Sequence, residues 1–483
     1  RRTRTAAQAD WHLPVPAGAD AALALSVMHV LVRDGRCDRA WLERHAHGFD
    51  RLEADVLPRF APDAVAASTG IAPGDVERLA GMLADARAPF IRIGCGPSRN
   101  RRGGAAIRTV ALLPALVGAY GRPGAGACLS MDTASSLALT ALQPSAPRPA
   151  PRVVNHARLG RALLELSDPP VKALFVAANN PAVTCPDSQR VRRGLSREDL
   201  FTVVHAPFVN DTALHADIVL PAATFLETED VYAAYGTGYV QYAPAAIPPV
   251  GQSRSNADLA RDLARCLGVE DELFALDQRA LVERTVRGTA IDGPDLWAGR
   301  PVKAGRPQPG PAFATPTGRI EFHSTMLAET GGPALPDWTP DPPGDPALPL
   351  RLLTAPGHFL SHTAFSGVAF LRTRQGEPAI LLHPRDADRR GLRTGEPVEA
   401  FNALGRIVHR LRVSDEVPPG TALIVGQRPA ADAHAGTVND LCSDALSDIG
   451  EGATYQDTRI EVRAMADRCA PETKPRLCVE ADR

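Results

Sequence analysis

Lysine is scarce in this chain. It occurs only at Lys172, Lys303 and Lys474, so arginine carries nearly all the positive charge. Coding bias accounts for that more simply than function does. Charge of one sign is also lacking. The formal net charge is -2, so no global field draws the chain to nucleic acid or to an anionic membrane. Paired cysteines are missing. Cys37, Cys95, Cys128, Cys185, Cys266, Cys442, Cys469 and Cys478 include no C-x-x-C pair, which leaves zinc ribbons and cysteine-clustered iron–sulfur sites without support. Their scatter is unlike a disulfide framework and points to a reducing, cytoplasmic compartment. No apolar run approaches the ~20 residues that span a bilayer. The opening RRTRTAAQAD has neither a methionine nor a signal-peptide pattern, and it reads as the continuation of a longer protein.

What is present is ordinary globular chain. Its 483 residues are 44% hydrophobic and 22% charged, enough for three or four lobes. Asp20 precedes AALALSVMHVLVRDG, an amphipathic helix pattern stopped near Gly35. DRAWLERHAHGF and PGDVERLAGMLADA read as two more helices. PFIRIGCGPSRNRRGGAAIRTVALLPALVGAYG gives a short strand, a Gly-containing loop and a long apolar helix. QPSAPRPAPR, at 143–152, is a linker by composition. VKALFVAANNP, LFTVVHAPF and HADIVLPA then follow as buried-strand patterns separated by helix-length segments. That order predicts a parallel sheet with covering helices. Ligands sit at the carboxyl edge of such sheets, where Asn179, Asn180 and His205 fall. SRSNADLARDLARCLG is a helix opened by Ser and Asn. Beyond about residue 350, RLLTA, AILLH, PVEAFNA, RIVHRLRV and TALIV are short strand-like runs of a small β-barrel.

Three stretches carry chemistry. TAPGHFLSHTAFSG, at 354–367, holds His358 and His362 four residues apart. That spacing could place both on one helical face as metal ligands. A metallohydrolase helix, however, needs a Glu between its histidines, and here Phe359, Leu360 and Ser361 intervene. Pro356 and Gly357 mark a strand-to-turn junction, whose N–H groups and hydroxyls suit phosphate instead. GCGPSRNRRGG offers a Gly-rich loop with Arg99, Arg101 and Arg102, matching neither phosphate-loop fingerprint. Asn179, Asn180 and Asn256 each present a donor and an acceptor, as a nucleobase or pterin edge requires; turn and cap chemistry is the plainer explanation, above all for Asn256. ETED, at 227–230, reads as an acidic helix start or as paired carboxylates.

Taken in order, FIRIGCGPSRNRRGG, GAYGRPGAG, NNPAVTCPD, VNDTALHADIVLPAATFLETEDVY, GQSRSNADLARDLARCLG, the histidine loop and HPRDADRRGLRTGEPVEAFNALG resemble the molybdopterin oxidoreductases of the dimethyl sulfoxide reductase superfamily. The resemblance spans roughly residues 1–464. It implies parallel-sheet α/β lobes with flanking helices and a C-terminal six-stranded, double-psi-like β-barrel. The implied divisions are 1–92 and 93–270 for two cofactor-binding lobes, 271–349 for an irregular connector, 350–464 for the barrel and 465–483 for a tail. The implied cofactor is bis(molybdopterin guanine dinucleotide) with Mo or W, serving two-electron chemistry on a small substrate with an electron-transfer partner protein. Carried over by position, Ile93, Gly94, Cys95, Gly96 and Pro97 line the pterin pocket. Asn179, Asn180 and His205 face one dinucleotide, and Asn256 reads the nucleotide. Thr354, Pro356, Gly357, His358, Ser361, His362 and Thr363 grip pterin and phosphate. Asn439 and Gln456 are late cofactor contacts, and Asp20 touches the other nucleotide. No protein ligand to the metal and no catalytic side chain is assigned.

Two departures stand out. The family's four-cysteine cluster motif and its metal-ligating residue are not recognisable, so a 4Fe–4S cluster is expected only in sequence preceding this chain. GACLSMDTASS lacks the arginine with which formate dehydrogenases pair their substrate, which argues against formate. Two other classes compete. One is a molybdenum-free electron-transfer relative, like the large iron–sulfur subunit of respiratory NADH dehydrogenase. The other is a metallohydrolase built on His358 and His362.

Overall fold

The computed structural model describes residues 1–130, 133–143, 151–304, 313–430 and 435–465. Most of the 143–152 linker and the tail beyond 465 lie outside those residues.

One helix, Asp20–Arg33, organises the first part of the chain. Its sequence is apolar almost all round, and such a helix is stable only when neighbours cover every side. Helices Pro62–Thr69, Pro73–Asp85 and Gly103–Leu112 pack against it. Leu25, Val27, Met28 and Leu31 are thereby fully buried. The helix ends at the predicted place, where Gly35 takes a φ of +65°, a conformation that a Cβ disfavours. Ala46–His47 (β1) follows the helix Arg39–His45. Phe90–Arg92 (β2) and Gly126–Cys128 (β3) pair in parallel, with the Gly-containing loop and the helix Gly103–Leu112 crossing between them.

The second parallel sheet is Ala173–Ala177 (β4), Phe201–Ala206 (β5) and Ile218–Pro221 (β6), with β5 central. Helices Leu159–Glu165 and Ser188–Leu195 cover it through Leu163, Val191 and Leu195. They approach closely because Gly194 has no side chain; a Cβ there would lie 2.6 Å from Leu163 Cβ.

The acidic run at 227–230 does not start a helix. Asp230–Ala233 (β7) is a strand, paired antiparallel with Tyr239–Ala243 (β8), which also pairs with Val302–Lys303 (β9). The reason is the destination of Glu227. Its buried carboxylate accepts Thr224 N–H (2.7 Å), Thr224 Oγ1–H (2.6 Å), Val250 N–H (2.7 Å) and Ser253 Oγ–H (3.0 Å), which holds a turn in place of a helix. The helix Gln278–Val286 packs on β7 and shares a small core with Val240, Tyr242 and Leu296. Ile320–Glu321 (β10) returns to pair in parallel with β1.

The last six strands close a barrel. They are Leu350–Ala355 (β11), Ala379–Leu382 (β12), Pro397–Phe401 (β13), Arg406–Val413 (β14), Thr421–Val425 (β15) and Arg459–Ala464 (β16), in the order β11-β15-β12-β14-β13-β16. Alternate residues fill the interior, as strand periodicity requires. Leu352, Ile380, Val398, Ile407 and Ile460 are fully buried. Five of these strands correspond to the apolar runs read from sequence. The sixth, RIEVRA, has a charge at every second position and so no apolar run, yet Ile460 and Val462 turn inward.

Candidate functional site

The loop after β2 is the first element of the site. Ile93 is buried, and its N–H donates to Cys128 O at 2.9 Å. Gly94, Cys95 and Gly96 are exposed, and Pro97 opens a single 3-10 turn to Arg99. Neither Gly94 nor Gly96 has a positive φ, and a Cβ on either would meet no atom within 4 Å. The fold itself therefore does not demand glycine here, and bare backbone leaves room for a ligand. Arg101 and Arg102 are engaged within the protein. Arg101 places its backbone N–H and its guanidinium on Asp457, and Arg102 donates to Thr339 O. Burial pushes the Asp457 carboxyl up, against the Arg101 N–H and charge, which favour its ionised form. Asn100 is buried; its Nδ2 reaches Pro97 O at 3.3 Å, and its buried Oδ1 has no protein partner.

The segment leading to Asp20 lies against this loop. Ala17 O accepts from Arg351 of β11 (2.9 Å), and Gly18 O accepts from Trp338 Nε1 (2.8 Å). A Cβ on Gly18 would lie 3.7 Å from Asn100 Oδ1. Burial raises the Asp20 carboxyl above its ordinary range, opposed by the N–H groups of Asp20 and Gly18.

At the carboxyl edge of β4 and β5, the four polar residues divide into two pairs. Asn180 is buried and wholly engaged. Its Nδ2 donates to Asp211 (3.1 Å), and its Oδ1 accepts Thr212 N–H (3.0 Å) and Thr212 Oγ1–H (2.8 Å). It ties β4 to the loop after β5. Asn179 is exposed, with Oδ1 on Asn180 N–H at 2.7 Å and Nδ2 on His156 Nε2 at 2.9 Å. His205 is buried at the end of β5 with Nδ1 3.0 Å from Asn256 Oδ1. Asn256 is the first residue of its helix, which Ser255 caps. The fold thus joins His205 to Asn256 across 51 residues of chain, which no local pattern announced.

The histidine loop leaves β11 and is not helical. His358 and His362 therefore do not share a helical face. His362 takes a left-handed φ of +56°, and His358 has both ring nitrogens within reach of the Arg4 guanidinium, at 3.1 and 2.7 Å. Pro356, Ser361 and His362 are exposed, and Thr363 is half-buried. A Cβ on Gly357 would lie 2.8 Å from Gln375 Oε1, which accepts Phe359 N–H at 2.9 Å, so a side chain there would displace that contact. Gln456 brackets Thr354 as a strand would, donating to its O at 2.8 Å and accepting its N–H at 3.3 Å.

Asn439 fastens the barrel to the β4 edge. It is fully buried, and Nδ2 donates to Val183 O (2.7 Å) and Thr184 O (3.0 Å), while the buried Oδ1 has no protein partner. Sequence reasoning missed the residues that make this junction rigid. Asp440 accepts from Ser188 Oγ (2.6 Å) and Arg192 (2.8 Å). Asp444 takes a two-pronged Arg161 contact at 3.0 Å on each oxygen. Asp448 accepts the N–H groups of Gly104 (2.8 Å) and Ala105 (3.1 Å) at the start of a helix. Their acid-rich run, NDLCSDALSD, was the available signal.

The loop after β2, the edge of β4 and the barrel loops thus meet at one junction. The buried Asn100 lies beside Gly18 and the loop after β2, and the buried Asn439 lies on the segment after β4. The exposed backbone at Gly94 and Gly96, with exposed Asn179, Ser361 and His362 on the other elements, leaves polar surface open to a ligand seen partly by backbone. Among the described residues no group of three or more His, Cys, Asp or Glu side chains is placed to hold a metal ion, and no helix is long and apolar enough to cross a membrane. A separate hollow of about 690 Å³, bordered by Cys37, Trp41, Tyr120 and Arg122, has none of these loops in its lining.

Comparison with known proteins agrees with this geometry. The family described as Molybdopterin oxidoreductase matches residues 1–266, and the Molydopterin dinucleotide binding domain matches residues 350–459. The chain is 35% identical over 480 residues to the probable oxidoreductase YoaE of Bacillus subtilis, covering 95% of this chain and 69% of that protein. It is 26% identical to the acetylene hydratase of Syntrophotalea acetylenica, covering 88% of this chain and 65% of that one. The solved structure of acetylene hydratase from Pelobacter acetylenicus superposes with a TM-score of 0.82 at 22% identity, over 96% of this chain and 73% of that one. This chain belongs to the molybdopterin oxidoreductase family, of the dimethyl sulfoxide reductase type, and carries its molybdopterin dinucleotide-binding barrel.

Proposed function

We propose that this chain forms most of the catalytic subunit of an enzyme that holds two molybdopterin guanine dinucleotides with molybdenum or tungsten and moves two electrons to or from a small substrate. The observation that carries this is the joining, in one chain, of a molybdopterin oxidoreductase body over residues 1–266 and a dinucleotide-binding barrel over 350–459, with the exposed backbone of Gly94 and Gly96 facing no protein atom within 4 Å of a Cβ. The bound metal supplies the redox chemistry. The residues here supply position and exclude water.

In this reading, Ile93, Gly94, Cys95, Gly96 and Pro97 let a pterin approach the backbone, and Asn439, a late cofactor contact, acts by fixing the barrel to the segment after β4. His205 and Asn256 act as one unit at the β5 edge, able to present an acceptor and a donor to a base. Asn179 stands on the exposed rim beside them, and Asn180 supports that rim by its contacts to Asp211 and Thr212. Thr354, Pro356, Gly357, His358, Ser361, His362 and Thr363 close over the phosphates from the barrel side, with Gln456 holding Thr354 in register. Asp20 meets the second nucleotide. A partner protein takes up or supplies the electrons.

The test is analytical. The purified full-length protein should release two guanine nucleotides per metal atom after acid hydrolysis, with molybdenum or tungsten measured by mass spectrometry. A well-folded protein carrying neither metal nor guanine would exclude the reading and favour a molybdenum-free electron-transfer role.

A further inference from the structure

Three arginines crowd the loop after β2, and two have protein partners. Arg101 lies on Asp457 and Arg102 on Thr339 O. The guanidinium of Arg99 is half-buried and has no carboxylate or carbonyl partner among the described residues. It extends to the barrel segment 451–455, where its Nη1 would lie 3.9 Å from a Cβ on Gly452. A half-buried cation with no counter-charge on it can take an anion.

The same segment touches the β4 edge. Asn155 Nδ2 donates to Glu451 O (2.9 Å), and Tyr455 Oη donates to Thr184 O (3.2 Å). Beside Asn155 stands His156, which no sequence motif pointed to. Its tautomer is set by its neighbours. Asn179 Oδ1 receives Asn180 N–H at 2.7 Å, so the Asn179 amide turns its Nδ2–H toward His156 Nε2 at 2.9 Å. The Cys185 thiol lies 3.3 Å from the same nitrogen. Burial pushes this thiol up to about 12, so it keeps its proton. The thiol donates to His156 O at 3.6 Å, so it is the Asn179 amide N–H that leaves Nε2 unprotonated and puts the ring proton on Nδ1. His156 is exposed, so it offers one N–H on the rim where Arg99 offers several.

We propose that Arg99 and His156 together hold the diphosphate of a bound nucleotide where the loop after β2, the β4 edge and segment 451–455 meet. This rests on the dinucleotide-binding reading above and assigns two residues to one part of that ligand. Arg99 contributes charge and a planar fork of donors, and His156 contributes a single oriented N–H. Arg101 and Arg102, though adjacent, are excluded by their existing partners.

The test uses the cofactor-free full chain with three probes: GDP, guanosine and inorganic pyrophosphate. Calorimetry should show GDP bound more tightly than guanosine, and pyrophosphate competing with GDP. Arg99→Gln and His156→Phe should each weaken GDP binding by about 10- to 100-fold, the range for losing a hydrogen bond to a charged group, and leave guanosine binding unchanged. Arg99→Lys should restore part of the loss. In ¹⁵N-histidine spectra of the wild-type chain, His156 should appear as the Nδ1–H form and shift on adding GDP but not guanosine. Equal affinity for GDP and guanosine, equal losses for both ligands in the variants, or a His156 protonated on Nε2 would overturn the proposal while leaving the dinucleotide reading intact. Binding of none of the three probes would overturn both.

Discussion

Truncating Asn439 to alanine tests whether the barrel is locked to the β4 edge as described. The amide is fully buried and donates to Val183 O at 2.7 Å and Thr184 O at 3.0 Å. Thr184 O keeps a partner after truncation, because Tyr455 Oη also donates to it at 3.2 Å. The loss is therefore close to one buried carbonyl left without its donor, about 2 kcal/mol within the 1–3 range for such a group. Since 1.4 kcal/mol is a factor of ten, segments 181–187 and 437–445 should exchange amide hydrogens roughly 30-fold faster in the cofactor-free chain. Exchange followed by mass spectrometry resolves this without assuming two-state unfolding, which a chain of several cores need not obey. Asn439→Asp sharpens the test. Its carboxylate would face two carbonyls, so the folded state would raise its pKa above the ordinary ~3.9. Between those values the folded state holds a proton that the unfolded chain has released, so stability falls as pH rises through that window. The Asp variant should look closer to wild type at pH 4 than at pH 7. Acceleration below about 3-fold in the Ala variant, or no pH dependence in the Asp variant, would refute the packing argument.

Three further outcomes follow from the structure. Glu227 is held down to about 2 by the Thr224, Val250 and Ser253 donors, so its contribution is complete above the ordinary glutamate range near 4.5 and is lost as pH falls from there toward 2; peptides spanning 223–254 should loosen over that window in wild type, with the effect absent in Glu227→Gln. Exposed Cys95 and Cys266 should be alkylated at pH 8, while buried Cys185 and Cys442, both pushed up to about 12, should not; loading with cofactor should protect Cys95 alone, and unprotected Cys95 in loaded enzyme would remove the loop after β2 from the site. Leu352→Ala, at a position with no exposure in the barrel interior, should cost about 2–5 kcal/mol; chemical denaturation monitored by barrel-peptide exchange measures it, and a cost under 1 kcal/mol would mean the barrel core is misassigned.

Local physics settled much of this protein at the level of sequence. The helix Asp20–Arg33 and its stopping glycine are legible there, but as an amphipathic helix, and only packing shows it covered on nearly every side. β4, β5 and five of the six barrel strands are short apolar runs between turn residues, and such runs are legible because burial on a pleated surface imposes them. The ordered motifs from FIRIGCG to GLRTGEP pointed to the family for the same reason, since each is a strand end or turn with its own chemistry. Where side chains find partners far along the chain, sequence could not choose. Glu227 opens no helix, because its four donors come from Thr224, Val250 and Ser253. β16 carries charges outward and has no apolar run, so only barrel closure reveals it. Among Arg99, Arg101 and Arg102, three equal arginines by sequence, tertiary contacts alone leave Arg99 open. Asn180 and Asn179 are likewise indistinguishable neighbours until Asp211 and Thr212 engage one and His156 meets the other. Backbone preference and burial pattern are written in nearby residues, whereas which polar group keeps an empty hand depends on partners brought together only by folding.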